Sequence, residues 1–127
     1  MNVDRLKRNL KHKLANASID LAAYLQLRRA KGYMSVSDND HLRDNLLELC
    51  SELRDNAATL STALTPEEKE AFRQAGEAVS SAAVCLLTGH HDCPSFIAVN
   101  VETLERCQTT LRTNIHKLNG LLPAAHV

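Results

Sequence analysis

The sequence predicts an all-α fold: a single-domain antiparallel four-helix bundle of 127 residues, with long helices 1–3 and a 12-residue connection between helices 3 and 4. Two observations predict this class. Apolar residues recur at steps of three and four in four separate stretches, which is the spacing of one helical face. The connections between the first three stretches are short, and short connections make consecutive helices antiparallel neighbours.

Helix 1 is predicted over residues 3–31. Gly32 follows it directly, and a glycine there can take the left-handed conformation that ends a helix. Residues 33–37 are a short connector. The apolar stripe of this helix comprises Val3, Leu6, Leu10, Leu14, Ala17, Leu21, Tyr24 and Leu25.

Helix 2 is predicted over residues 38–64. Ser37 is the expected N-cap, and Asp38 and Asp40 in the first turn suit the positive end of the helix dipole. The stripe continues without interruption through Leu42, Leu46, Leu49, Leu53, Ala57, Leu60 and Leu64.

Helix 3 is predicted over residues 66–88, after the single break in the pattern. Pro66 lacks a backbone donor and pushes Thr65 out of helical geometry. Thr65 and Glu68 are expected to form a capping box, in which each side chain accepts from the backbone amide of the other. Small residues dominate this helix, so we expect another helix to approach it closely.

Helix 4 is predicted over residues 101–119, with Asn100 as its N-cap and Pro123 preventing its continuation. The connection at 89–100 is polar at first and then apolar enough to pack against the bundle. The tail at 123–127 is expected to be frayed.

The composition disfavours nucleic acid and membranes as partners. The formal net charge is zero, whereas nucleic-acid binding depends on excess Lys and Arg. No apolar run approaches the roughly 18 residues of a membrane span. The four cysteines contain no C-x-x-C pair, and no targeting segment is recognised, so a cytoplasmic location is expected.

Charge is distributed unevenly along the chain. Residues 1–31 carry eight Lys or Arg and two acidic residues, whereas residues 38–77 carry ten acidic residues and four bases. Helix 1 is therefore expected to lie along helices 2 and 3, either of its own chain or of a second copy in a homo-oligomer. Charge of this kind selects an arrangement more than it stabilises one.

The metal-binding candidates are four adjacent residues, His90, His91, Asp92 and Cys93. A structural zinc site usually has two spaced pairs of ligands, and no second pair is positioned here. We therefore favour a polar turn, with no metal and no cofactor. A nucleophilic pair of Cys93 with either histidine lacks an orienting group and an oxyanion site, so no enzyme is predicted.

Several residues are candidates for contacts with other molecules. Tyr24, Arg28, Arg29 and Tyr33 gather near the end of helix 1, and Tyr and Arg are favoured in protein interfaces. The alternative, held equally, is that Tyr24 is core and Tyr33 packs back on helix 1. His90 and His91 are further interaction candidates. The basic residues of helix 1 could contact DNA or an anionic membrane, but a solvated or salt-bridged face is favoured, and no helix-turn-helix spacing is present. These basic residues are Arg5, Lys7, Arg8, Lys11 and Lys13.

Residues 20–45 contain Leu-Gln-Leu-Arg-Arg-Ala-Lys-Gly-Tyr-Met-Ser, and residues 82–94 contain Leu-Leu-Thr-Gly-His-His-Asp-Cys-Pro. These two stretches resemble the enterobacterial BssR family of biofilm regulators. The resemblance implies a small intracellular protein that represses biofilm formation and influences the transport of signals such as autoinducer-2 and indole. It implies no catalytic residue, cofactor or direct target.

These observations predict a non-enzymatic regulator of biofilm formation that acts by binding a protein partner of unknown identity. The alternative is a sensor that binds a small signal molecule between its helices, since the interiors of helical bundles can hold ligands. A DNA-binding transcriptional regulator is the third possibility.

Overall fold

The computed structural model describes residues 3–32, 34–87, 90–93 and 96–120, with backbone only at 90–93, 96–98 and 120. The described part is predominantly helical, as predicted. In chain order its elements are α1 Val3–Lys31, β1 Met34–Ser35, α2 Val36–Asp55, α3 Ala57–Ser61, α4 Pro66–Leu87, β2 His90–Cys93, β3 Phe96–Ala98 and α5 Val101–Gly120.

Three predicted helix ends are confirmed. Gly32 ends α1 with φ 82°, and its amide donates to the carbonyl of Arg28 at 2.8 Å. At the start of α4, the Thr65 amide donates to Glu68 Oε1 at 3.1 Å, and the Glu68 amide donates to Thr65 Oγ1 at 3.2 Å. Asn100 caps α5, since its Oδ1 accepts from the Thr103 amide at 3.1 Å.

The predicted helix over 38–64 is wrong as one continuous element. It is interrupted at Asn56, where φ is −104° and ψ is 3°. The Asn56 amide and its side-chain Nδ2 both donate to the carbonyl of Glu52, at 3.1 and 2.8 Å. Asn side chains compete in this way for backbone partners that a regular helix would use. The short α3 that follows contacts α1 and buries Leu60, whose exposed fraction is 4%.

The predicted N-cap of this helix, Ser37, is also wrong. Ser35 is the N-cap: its Oγ accepts from the Asp38 amide at 3.1 Å, and its backbone is extended. Ser35 also ends β1, so the helix begins one residue after a strand. Ser37 therefore lies in the first turn of α2.

Both connections that were predicted without strands contribute to a three-stranded antiparallel sheet in the order β1-β3-β2. In β1, Met34 pairs with Ile97 and Ser35 with Phe96. The β2–β3 register is His90 with Ala98, His91 with Ile97 and Cys93 with Phe96, with an irregularity between His91 and Cys93. The sheet therefore joins the α1–α2 connection to the α4–α5 connection.

The four longer helices pack so that α1 and α4 each contact both α2 and α5. Helices α1 and α2 run in opposite directions, because Lys13 contacts Glu52 near one end and Tyr24 contacts Asn39 near the other. Leucine and alanine dominate the core between these helices. The side chains with an exposed fraction of at most 1% include Leu10, Leu14, Leu21, Leu46, Ala75, Ala82, Leu86, Leu104, Leu111 and Leu118.

Basic α1 lies along acidic partners of its own chain. Lys13 Nζ lies 2.5 Å from Glu52 Oε2 of α2, and Lys7 Nζ lies 2.6 Å from Glu68 Oε2 of α4. The predicted pairing of basic helix 1 with acidic helices therefore occurs within one chain. Pairing with a second copy stays a prediction.

Candidate functional site

An open groove of about 450 Å³ lies between α2, α3 and α4. We call it the α2–α4 groove. Its volume falls in the range of roughly 300–1,000 Å³ that is usual for small-molecule sites.

The floor of the α2–α4 groove is apolar. Leu60 and Phe72 are buried, with exposed fractions of 4% and 7%, and Leu53 and Leu64 are half-buried beside them. This end of the groove exists because the chain is interrupted at Asn56, after which α3 supplies Leu60 to the floor.

Gly76 lies in the middle of α4, where it lines the groove. A Cβ atom at this position would meet only Leu53 Cδ1, at the ordinary contact distance of 3.7 Å. Helix packing therefore does not require glycine here, although glycine costs a helix interior about 1 kcal/mol relative to alanine. What the missing side chain does provide is space in the groove.

The rim of the groove is polar and predominantly basic, with Arg54, Lys69, Arg73 and Glu77. The Arg73 guanidinium is held by two carboxylates of α4, at 2.5 Å from Glu70 and 2.9 Å from Glu77. Hydrogen bonds from Arg73 and Gln74 lower the pKa of Glu70 to about 2. Arg73 is thus already neutralised by neighbours.

Arg54 and Lys69 differ from Arg73 in their ion pairing. Both are exposed on the rim, and neither has an acidic partner within the described part of the chain. Among the residues that the structure describes, Arg54 donates only to Ser51 Oγ, at 3.3 Å. The apolar floor is therefore bordered by two positive charges that the described residues do not compensate.

An exposed apolar strip continues this face toward the other end of α4. It consists of Leu47 on α2 and Val84 and Leu87 on α4, with exposed fractions of 38%, 53% and 53%. Val84 and Leu87 follow Glu77 and Ser80 at helical spacing, on the side of α4 that lines the groove. We call these three residues the apolar strip.

The structure places Tyr24 in the core, with an exposed fraction of 5%. Its hydroxyl donates to Asn39 Oδ1 at 3.1 Å, and Asn39 Nδ2 donates to the carbonyl of Leu86 at 3.3 Å. This chain of hydrogen bonds joins α1, α2 and α4. Burial raises the pKa of Tyr24 to about 12. The sequence left open whether Tyr24 belongs to an interface or to the core, and the structure places it in the core.

The other candidates near the end of α1 do not join the groove. Arg29 is exposed and pairs with Glu105 of α5 at 2.5 Å, and Arg28 is half-buried. Because α1 and α2 run in opposite directions, these residues lie at the end of the molecule remote from the groove. Tyr33 lies outside the described residues, and a role of this cluster in contacts stays a prediction.

The predictions for His90, His91, Asp92 and Cys93 concern side chains that lie outside the described residues; only their backbone, in β2, is placed. Within the side chains that are described, no group of three or more His, Cys, Asp or Glu is arranged to hold a metal ion. Burial raises the pKa of the thiols of Cys50, Cys85 and Cys107. These three cysteines are therefore protonated at neutral pH.

Two buried asparagines were not recognised in the sequence. Asn39 has an exposed fraction of 0% and Asn114 one of 2%, and Asn114 Oδ1 has no hydrogen-bond partner among the described groups. The spacing could have indicated both. Asn39 precedes Leu42 by three residues, and Asn114 lies between Leu111 and Leu118 on the stripe of α5.

None of the helices in the described ranges combines the length and apolar character needed to cross a membrane.

The sequence matches known proteins over nearly its whole length. Residues 1–124 match the family described as biofilm formation protein (YliH/BssR). The chain is 51% identical over 118 residues to the biofilm regulator BssR of Escherichia coli K12 and to that of Shigella flexneri, which is 93% of this chain and 93% of each relative. No solved structure matches. The resemblance seen in residues 20–45 and 82–94 is confirmed: this chain belongs to the YliH/BssR family of biofilm formation proteins.

Proposed function

We propose that this chain is a single-domain antiparallel four-helix bundle that regulates biofilm formation in the cytoplasm by binding a protein partner, without catalysing a reaction. The role in biofilm regulation rests on the family and on its relatives, which are named biofilm regulators. The signals that the family resemblance implies, autoinducer-2 and indole, suggest that the partner acts in their uptake or export.

The observation that supports protein binding is the apolar strip. Fully burying a Leu or Val side chain stabilises a complex by about 1.5–3 kcal/mol. Val84 and Leu87 are each about half exposed and lie one helical turn apart on α4, and Leu47 is exposed on α2, which packs against α4. An apolar helix of a partner, laid along α4, would remove all three side chains from water.

The test is a double substitution, Val84→Gln with Leu87→Gln, in cells that depend on this chain for biofilm regulation. We expect the variant to fold, to lose crosslinking to its partner and to lose its effect on biofilm mass. Ile19→Gln is the matched control, because Ile19 is 66% exposed on α1, away from the strip. Full regulation by the double variant, or an equal loss in the control, would contradict the proposal.

A small-signal sensor is the second candidate, and the α2–α4 groove favours it. The apolar floor suits an apolar signal such as indole better than the polar autoinducer-2. Thermal unfolding in the presence of each compound tests this function, since a ligand of the folded state raises the Tm in a saturable way. Gly76→Leu, which fills the groove, should abolish that rise.

The ion pairs of α1 argue against DNA binding. Two of the basic residues considered for it, Lys7 and Lys13, are engaged by Glu68 and Glu52 of their own chain.

A further inference from the structure

We infer that the α2–α4 groove binds a small amphipathic anion: an acyl or aromatic body on the apolar floor and one carboxylate-like group at the basic rim. This inference deepens the second candidate function, sensing of a small molecule, and rests on it. It adds the charge of the ligand, which the family and its relatives do not indicate.

The floor of the groove suits the apolar body of such a ligand. One continuous depression is lined by Leu53, Leu60, Leu64 and Phe72. Because residue 76 is glycine, no side chain at this position fills the depression. An acyl chain or aromatic ring lying there would exchange contact with water for contact with these side chains, which is favourable in proportion to the area buried.

The rim of the groove suits the anionic group of such a ligand. Arg73 already has two carboxylates, so it neither requires nor attracts a third. Arg54 and Lys69 lie on opposite walls, at the end of α2 and in the first turns of α4, and their charges are uncompensated within the described residues. Among the described residues that line the groove, Glu77 is the one acidic side chain, and it is engaged by Arg73.

Charge then discriminates between otherwise similar occupants. A neutral apolar molecule would cover the rim and remove water from Arg54 and Lys69 without replacing it, which is unfavourable. A cationic amphiphile would be repelled by the same two groups. An anion offers a charge-assisted hydrogen bond in place of the displaced water.

The experiment compares three ligands that share one eight-carbon chain: octanoate, 1-octanol and octylammonium. Amide chemical shifts of the full chain are followed by NMR at low ionic strength during titration with each ligand. We expect saturable shifts at Ala57, Phe72 and Gly76, with octanoate binding about fivefold to tenfold more tightly than octanol and octylammonium more weakly than both.

Three variants, one of them a control, separate the apolar and the charged contributions to binding. Arg54→Gln with Lys69→Gln should abolish the preference for octanoate over octanol, while both ligands still bind in the groove. Arg8→Gln with Arg112→Gln removes two exposed positive charges from α1 and α5 and should preserve the preference for octanoate. Gly76→Leu should abolish the binding of all three ligands.

The outcomes are distinguishable. If octanol binds in the groove as tightly as octanoate, the anion inference fails while the sensor function stands. If none of the three ligands shifts the groove amides, both fail. If the control double variant loses the preference as completely as Arg54→Gln with Lys69→Gln, the preference arises from overall charge and the inference is overturned.

Discussion

Glu68 shows how one residue can serve a helix end and a helix pair at once. Its side chain is only 4% exposed, yet it caps Thr65 and contacts Lys7 Nζ from α1. Burial by itself raises the pKa of Glu68, but the hydrogen bonds from Lys7 and Thr65 outweigh it and lower the pKa below its ordinary value. The ionised form is therefore the one that the fold stabilises.

We expect Glu68→Gln to lower the free energy of unfolding by about 2–4 kcal/mol, because it leaves Lys7 largely buried without its counter-charge. Urea denaturation at neutral pH measures the loss. Glu67→Gln is the matched control, since Glu67 lies in the same first turn but is exposed. Similar losses for the two variants would contradict the assignment.

The effect of Glu68 should also depend on pH. A carboxylate whose pKa falls on folding contributes stability that is fully present above its unfolded pKa. That contribution is lost as the pH falls below about 4.5 and through the folded pKa. The difference in the free energy of unfolding between the wild-type chain and Glu68→Gln should therefore decrease at acidic pH. A difference that is constant from neutral pH to about pH 3 would refute this linkage.

The buried hydrogen bond from Tyr24 to Asn39 also contributes to stability. Tyr24→Phe keeps the ring but leaves the fully buried Asn39 Oδ1 without a donor, which should lower the free energy of unfolding by about 1–3 kcal/mol. Burial raises the pKa of Tyr24 to about 12. Its protonated form therefore contributes stability below about pH 10, and this contribution is lost as the pH rises towards 12.

Phenolate absorbance measures this directly, because the chain has two tyrosines and no tryptophan. We expect the titration phase near pH 12 to vanish in Tyr24→Phe and to remain in Tyr33→Phe. Its persistence in Tyr24→Phe would show that another group titrates there.

Two helix glycines show that the same residue type can have opposite roles in different elements. Gly32 has φ 82°, so Gly32→Ala places a side chain in a left-handed conformation and should cost about 1–2 kcal/mol. Gly76 is in regular helix, and a Cβ there meets only Leu53 at 3.7 Å. Gly76→Ala should therefore stabilise the fold by about 0.5–1 kcal/mol.

Thermal or urea unfolding of Gly32→Ala and Gly76→Ala shows whether each substitution raises or lowers the free energy of unfolding. Destabilisation by Gly76→Ala would mean that α4 needs a closer approach than the structure shows. Neutrality of Gly32→Ala would mean that the end of α1 relaxes out of its left-handed turn.

Three helix termini were predicted accurately from sequence, whereas the N-cap of α2 was not. The stop at Gly32, the capping box of Thr65 and Glu68 and the cap at Asn100 each depend on groups within four residues of one another. The interruption at Asn56 was missed. The apolar stripe runs through it from Leu53 to Leu60, and periodicity carries no information about which backbone partner an asparagine side chain takes.

At the scale of the whole molecule, the small sheet connects parts of the chain that are distant in sequence. Ile97 lies in the central strand β3 and pairs with Met34 on one side and His91 on the other. Ile97→Pro removes a backbone donor from this strand and should lower the free energy of unfolding by about 1–3 kcal/mol. Urea denaturation measures the change.

Asp92→Pro is the control for this substitution, because Asp92 lies at the irregularity of the edge strand β2, between two paired residues. Prolines are tolerated at such positions. If the two variants lose stability equally, the sheet does not hold the connections together.

The α2–α4 groove could not be predicted, for the same reason as the sheet. Its floor combines Leu53 and Leu60, on either side of Asn56, with Phe72 of the next long helix. In the sequence all three are ordinary members of apolar stripes. Only their packing shows that a depression remains between them and that Arg54 and Lys69 border it.

The sequence by itself determined the helical class, three of the helix ends and the family. Apolar spacing, caps and motif residues act over short separations or can be compared directly with relatives. The tertiary structure decided the break at Asn56, the sheet, the buried position of Tyr24 and the groove. Each of these depends on contacts between residues far apart in the chain, whose free energy arises only when the helices pack.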